Sequence, residues 1–150
     1  MKNKFIFTDI DGVLNSEAFV KDNGSYICID GKRLLLLKKI VEATGAVIIL
    51  SSYHRVLLDP PTKYGNYIIE KFGIFGLKIL GTTPVIHDDR ELEITEYINQ
   101  HKDVIGQYVI LDDTWYNWTA NKKHFIHIKD GLTEENVNEA IEILNLNKEI

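Results

Sequence analysis

Five short apolar runs punctuate this chain, and stretches of helical periodicity separate most of them. The runs are Lys4–Thr8, Ala46–Leu50, Leu77–Leu80, Tyr108–Leu111 and His124–Ile128. Continuous apolar runs this short predict strands buried on both faces, as in a parallel sheet. Lys32–Thr44 places Leu34, Leu37, Ile40 and Val41 on one helical face and ends at Gly45, a good C-terminal cap. Tyr64–Phe72 predicts a second helix stopped at Gly73, and Glu91–His101 a third with Leu92, Ile94, Tyr97 and Ile98 as its apolar positions. Thr133 is placed to N-cap a last helix, where Glu134 and Glu135 complement the dipole and Val137, Ile141 and Leu144 face the core. Strands alternating with helices imply an α/β fold with a parallel sheet and right-handed crossovers.

Between Asn15 and Asp30 the pattern breaks. Asp22-Asn23-Gly24 has hairpin-turn chemistry with apolar residues on both sides, which predicts a small β-flap over about residues 15–30. Neither this segment nor the one after the third predicted strand is long enough to hold a further domain. The sequence contains no internal repeat, low-complexity segment or linker, so residues 1–150 are expected to form one domain.

Charge gathers where the strands should end. Asp9 and Asp11 close the first run, and in an open α/β sheet that edge is where ligands and catalytic groups collect. Two carboxylates there repel each other unless a cation or a shared proton intervenes, and a bound divalent metal is the simplest reason to keep them. Gly12 lets the chain turn directly afterwards. A calcium EF-hand is excluded, because its glycine belongs at the sixth loop position and a helix, not a strand, should precede it. The fourth run ends in Asp112-Asp113, so four acidic side chains from two strand ends converge on one edge. A phosphoacceptor receiver domain would need an aspartate after the third strand and a lysine after the fifth; Leu80-Gly81 and Ile128-Lys129 do not supply that set.

Composition narrows the partners. Seventeen basic and twenty-two acidic residues give a net charge of −5, which argues against strong nonspecific nucleic-acid binding but leaves room for a local basic groove. The single cysteine, Cys28, excludes an internal disulfide and a thiolate metal cage and fits a reducing cytosol. No apolar stretch reaches membrane-spanning length, and the first residues turn acidic too early for a signal peptide, so a cytoplasmic location without membrane contact is expected.

Asp9-Ile10-Asp11-Gly12-Val13-Leu14-Asn15 resembles, residue for residue, the DxDG motif that closes the first strand in the haloacid dehalogenase (HAD) superfamily. Ser51, with Ser52 as the alternative, matches that superfamily's phosphate-holding hydroxyl after strand two. Arg90, ahead of the third helix, matches its conserved cation, with arginine in place of the commoner lysine. Asp112-Asp113 matches its paired acids after strand four. The stretches ILSSYHR, TTPVIHDDRELEI, YVILDD and GLT are similar, more narrowly, to the HAD domain of bacterial Swiss Army Knife RNA-repair proteins. In that group a tryptophan commonly stands at the position of Tyr53, and His54 is a further departure.

The resemblance implies an HAD-like Rossmannoid three-layer sandwich with strand order 5-4-1-2-3 and no cap. It implies a Mg²⁺-dependent phosphomonoester hydrolase in which Asp9 is the nucleophile and Asp11 the acid and base. Metal ligation would fall to Asp9, the Asp11 carbonyl, Asp112 and Asp113, and phosphate binding to Ser51 or Ser52 and Arg90. Arg55 is a candidate for a second phosphate or a nucleic-acid backbone, set against a surface charge in a mobile loop. Trp115, Tyr116 and Trp118 are candidates for stacking an extruded base, set against packing of a loop on the sheet. Within the superfamily an open site goes with large substrates, so an RNA or DNA end or a nucleotide is the expected partner of a monomeric enzyme. A phosphotransferase or a general small-molecule phosphatase of the same fold, and a noncatalytic phosphate- or partner-binding module, are the alternatives.

Overall fold

The first apolar run becomes the central strand of a five-stranded sheet. In the computed structural model, which describes residues 2–24, 27–86, 88–115 and 118–146, β1 (Asn3–Thr8) lies between β2 (Val47–Leu50) and β4 (Ile105–Asp112). The outer strands are β3 (Ile79–Thr82) beside β2 and β5 (Phe125–His127) beside β4, and every pairing is parallel. The order β3-β2-β1-β4-β5 is the expected 5-4-1-2-3 read from the other side.

Both faces of β1 are buried, which is why its sequence runs apolar without alternation. Ile6 packs into one core layer with Leu34, Leu37 and Ile40 of α2 (Gly31–Thr44), Ile68 and Phe72 of α3 (Lys63–Ile74), and Val137, Ala140 and Leu144 of α5 (Glu134–Leu144). Phe5 and Phe7 face the opposite layer, made by Ile94, Tyr97 and Ile98 of α4 (Arg90–Gln100) and by Trp118. The result is helix–sheet–helix, three layers deep. No helix among the described residues is long and apolar enough to cross a membrane.

Two local expectations are corrected. The segment predicted as a β-flap instead carries the helix α1 (Glu17–Asn23), and no strand forms among the described residues of 15–30. Ser16 caps its start by accepting the Phe19 N–H, and Gly24 ends it at φ 57°, its N–H returning to the Val20 carbonyl. A hairpin turn and a helix C-cap both want glycine at positive φ, so the same Asn-Gly signal serves either. Ser25 and Tyr26 of that segment lie outside the described residues. The third strand also starts later than predicted, because the Leu77 N–H closes the end of α3 on the Phe72 carbonyl instead of joining the ladder.

Candidate active site

Register brings the acids together. Thr8 pairs with Leu50 on one side and Leu111 on the other, and the ladder continues one step further. The Asp9 N–H donates to the Leu111 carbonyl and the Ser51 N–H to the Thr8 carbonyl. Asp9, Ser51 and Asp112 therefore leave the sheet in one row. With Asp113 following at once, carboxylate oxygens of Asp9, Asp112 and Asp113 lie within 4.8 Å of one another.

The loop after β1 is shaped around that cluster. Gly12 sits at φ 78°, and a Cβ there would fall 2.2 Å from Asp113 Oδ2, so only glycine leaves the carboxylate its place. Asp9 Oδ1 accepts the Ile10 N–H at 2.8 Å, Asp112 Oδ1 the Thr114 N–H at 3.0 Å, and Asp113 Oδ1 the Thr114 hydroxyl at 3.2 Å.

Arg90 is the cation of the cluster. Asp89 caps α4 by accepting the Leu92 N–H, which turns Arg90, the first helical residue, into the buried edge. Its Nη1 donates to Asp112 Oδ2 at 2.6 Å and lies 3.8 Å from Asp9 Oδ1, with the Tyr53 ring 5.7 Å from the guanidinium carbon. One guanidinium does not balance three carboxylates. Burial, and then the charge of Asp112, push the Asp9 carboxyl well above the usual range against the pull of Arg90. Burial also raises Asp112, again opposed by Arg90. A hard, oxygen-seeking divalent cation fits this set: the donors are all carboxylate oxygens, close together and short of positive charge.

Asp11 stands apart from the triad but on the same pocket, which Asp9, Asp11, Ser52, Tyr53, His54, Arg90, Asp113 and Thr114 line. Its Oδ2 meets His54 Nε2 at 3.1 Å and its Oδ1 accepts Asn15 Nδ2 at 3.2 Å. The His54 hydrogen bond, with help from Asn15, holds the Asp11 carboxyl below the usual range despite partial burial. A larger cavity of about 760 Å³ begins at Asp11, Gly12 and Asp113 and runs between α1 and the Lys129–Asp130 turn.

Of the two candidate serines, Ser52 borders the pocket, its Oγ accepting the His54 N–H. The Ser51 hydroxyl is fully buried and has no hydrogen-bond partner among the described residues.

Arg55 is a correction: it faces neither the pocket nor solvent. Its guanidinium pairs with Glu93 at 2.8 Å and donates to the carbonyls of Ser52, Thr83 and Pro84, with both side chains of the pair only 3% exposed. Every direction in which it could reach a phosphate is already taken by protein acceptors. The tryptophans also part company. Trp118 is buried and stacks on Phe125 at 4.7 Å, whereas Trp115 is 72% exposed and leans on His127 at 4.3 Å. Tyr116 lies outside the described residues.

Nothing periodic in the sequence points to His54 and Tyr53 as site residues, because they lie in a 3-10 turn (Tyr53–Leu57) after β2. Their one visible trace is that they directly follow the serines at the strand end.

No curated protein matches the chain. Residues 5–137, from β1 into α5, match the family described as the HAD domain in Swiss Army Knife RNA repair proteins. The matched span contains Asp9, Asp11, Ser51, Ser52, Arg90, Asp112 and Asp113, and at superfamily level it carries hydrolase chemistry of the phosphatase type. The chain belongs to this family of HAD domains.

Proposed function

We propose that the protein is a Mg²⁺-dependent phosphomonoester hydrolase acting on nucleic-acid ends or nucleotides through an aspartyl-phosphate. The observation that carries this reading is the meeting of Asp9, Asp112 and Asp113 beside a buried arginine at the carboxyl edge of a parallel sheet. Asp9, Asp113 and the Asp11 carbonyl would hold the ion, with Asp112 bound directly or through water. When bound, Mg²⁺ supplies charge neutralisation for the phosphate and the carboxylates together.

The remaining chemistry belongs to the side chains. Asp9 attacks phosphorus in line, forming a carboxylate–phosphorus bond as the ester P–O bond breaks. Asp11, held as a carboxylate in the free protein by His54 and Asn15, takes up a proton as the anionic phosphate binds beside it and gives it to the departing oxygen. It then takes one from the water that attacks phosphorus and releases Asp9 and inorganic phosphate. Arg90 stabilises the transferring oxygens, and a serine hydroxyl would hold a phosphate oxygen. Ser52 borders the pocket, while the Ser51 hydroxyl, buried and without a partner among the described residues, would have to turn toward it.

Two features favour a substrate larger than a sugar phosphate. The 760 Å³ cavity leaves the pocket at Asp11, where a leaving group would emerge, and has the room for a large one, with Lys21 and Lys129 on a wall they share with Glu17 and Asp130. Trp115 stands exposed just beyond the DD pair, the better placed of the two tryptophans to stack a base. A Mg²⁺-dependent phosphate-release screen over nucleotides, 3′- and 5′-phosphorylated oligonucleotides, sugar phosphates and phosphopeptides tests the reading. An oligonucleotide is expected to exceed a small ester in kcat/KM by about tenfold or more, equivalent to about 1.4 kcal/mol. Absence of release from every class by folded protein sinks the phosphatase reading; equal efficiency on large and small substrates removes only the nucleic-acid part.

A further inference from the structure

The phosphatase reading assigns Asp11 a proton-transfer role but does not explain what aims it. Its side chain is 63% exposed, and an unrestrained aspartate at such a position samples several rotamers. Here both carboxylate oxygens are held, from two different strand-end loops. Asn15 Nδ2 donates to Oδ1, and Asn15 is itself fixed by the Gly12 N–H on its Oδ1 and by its own bond to the Cys28 carbonyl, each 2.8 Å. His54 Nε2 holds Oδ2 from across the pocket at 3.1 Å, and its side chain is only 13% exposed.

The turn that presents His54 is anchored in turn. The His54 N–H is bonded to Ser52 Oγ, and the next residue, Arg55, ties the same turn to Glu93 and to the Thr83 and Pro84 carbonyls. A buried ion pair thus stiffens the base from which the imidazole reaches Asp11.

We propose that His54 is a positioning residue, which with Asn15 clamps the Asp11 carboxylate at the point where the leaving oxygen departs and the attacking water arrives. It touches neither phosphorus nor the scissile bond; it acts through Asp11. A clamp of this kind matters because a displacement of about 1 Å at a reacting group can cost about a hundredfold in rate. A bare surface ion pair, by contrast, would change almost nothing when removed.

A double-mutant cycle on an alkyl phosphate, whose leaving oxygen needs the proton from Asp11, separates the two. His54→Ala is expected to lower kcat about tenfold to a hundredfold while KM stays within about twofold. His54→Gln, whose amide N–H reaches the same place as Nε2–H, should recover most of that loss. In an Asp11→Asn background, His54→Ala should cost nothing further, since residues acting as a unit are not additive. Equal losses in both backgrounds, an unchanged kcat, or a glutamine variant as slow as the alanine one overturns the proposal. Imidazole NMR supplies a readout without turnover: the His54 ring signals should move on Asp11→Asn. If they do not move, the clamp is absent whatever the rates. If the wild type hydrolyses no phosphate ester while the ring signals do respond, the phosphatase reading fails and the clamp stands.

Discussion

Replacing Arg55 by alanine strands the Glu93 carboxylate inside the protein. In the native fold one Glu93 oxygen accepts both the Arg55 guanidinium and the Ile86 N–H, each at 2.8 Å, and the variant leaves only the second. The carbonyls of Thr83 and Pro84 lose the guanidinium at the same time, and that of Ser52 keeps only the backbone N–H of residue 55. Removing one partner of a buried pair typically costs about 3–5 kcal/mol, because the remaining charge has lost its water and gained nothing. For a chain of this length, each kcal/mol lowers Tm by about 2–4 °C, so Arg55→Ala should melt roughly 6–20 °C below wild type. Glu93→Gln in the same background should recover part of the loss by removing the stranded charge, giving a favourable coupling energy in the cycle.

Urea titration is the direct assay, with the midpoint expected to fall and the slope to stay constant. Activity is measured well below the melting range, where KM for a small phosphate ester should remain within about twofold of wild type. The opposite outcome, stability within about 1 kcal/mol of wild type but a KM raised tenfold, would place the guanidinium on substrate and refute the buried-pair account.

Three further perturbations separate the parts of the site. Asp9→Asn should abolish phosphate release and stabilise metal-free protein at pH 7 by at least about 1.4 kcal/mol, the worth of one pKa unit. The sign follows from the raised native pKa of Asp9: without metal, wild-type stability falls as pH rises above 3.8, the ordinary carboxyl value, so the gap between variant and wild type should close near pH 4. A pH series of urea melts in EDTA checks this, and a gap independent of pH would remove Asp9 as its source. Gly12→Ala puts a Cβ into Asp113 and strains a positive-φ position by about 1–2 kcal/mol, so the Mg²⁺ concentration for half-maximal activity should rise about tenfold or more; an unchanged Mg²⁺ titration would show that Asp113 is not a ligand. Trp118→Ala should destabilise by about 3–5 kcal/mol as a buried aromatic, whereas Trp115→Ala should leave stability within about 0.5 kcal/mol and erase much of the oligonucleotide advantage in kcat/KM.

Much of the fold was legible because its strands are buried on both faces. An apolar run such as Phe5-Ile6-Phe7, followed at once by charge, marks both a strand and its exposed end. The acids of the site were legible for the same reason: Asp9, Asp112 and Asp113 directly follow such runs. What the sequence concealed were contacts between distant segments. Nothing local distinguishes Arg55, buried on Glu93, from the solvent-facing loop charge or phosphate ligand that its position suggests. Nothing local sets Trp115 outside and Trp118 inside, since that depends on where Phe125 of β5 lies. Gly24 misled because one conformational requirement, a positive φ, is shared by a hairpin turn and a helix end.

The crowding of carboxylates is a consequence of that same core. Left to electrostatics alone, Asp9, Asp112 and Asp113 would separate, and the upward push on the Asp9 and Asp112 protonation equilibria, which comes first from burial and then from the neighbouring carboxylates, carries part of that tendency. They stay because Thr8 is locked opposite Leu111, with Ile6 committed to the layer of α2 and α5 and Phe7 to that of α4. A slip of one residue would exchange those faces, sending phenylalanines into the space of Ile6 and breaking both layers at once. Apolar burial at about 25 cal/mol per Å² is thus the term that outweighs like-charge repulsion at the edge. The concentrated negative charge that results is what an incoming cation would relieve, so the core register and the fit of this edge to a divalent cation have one structural origin.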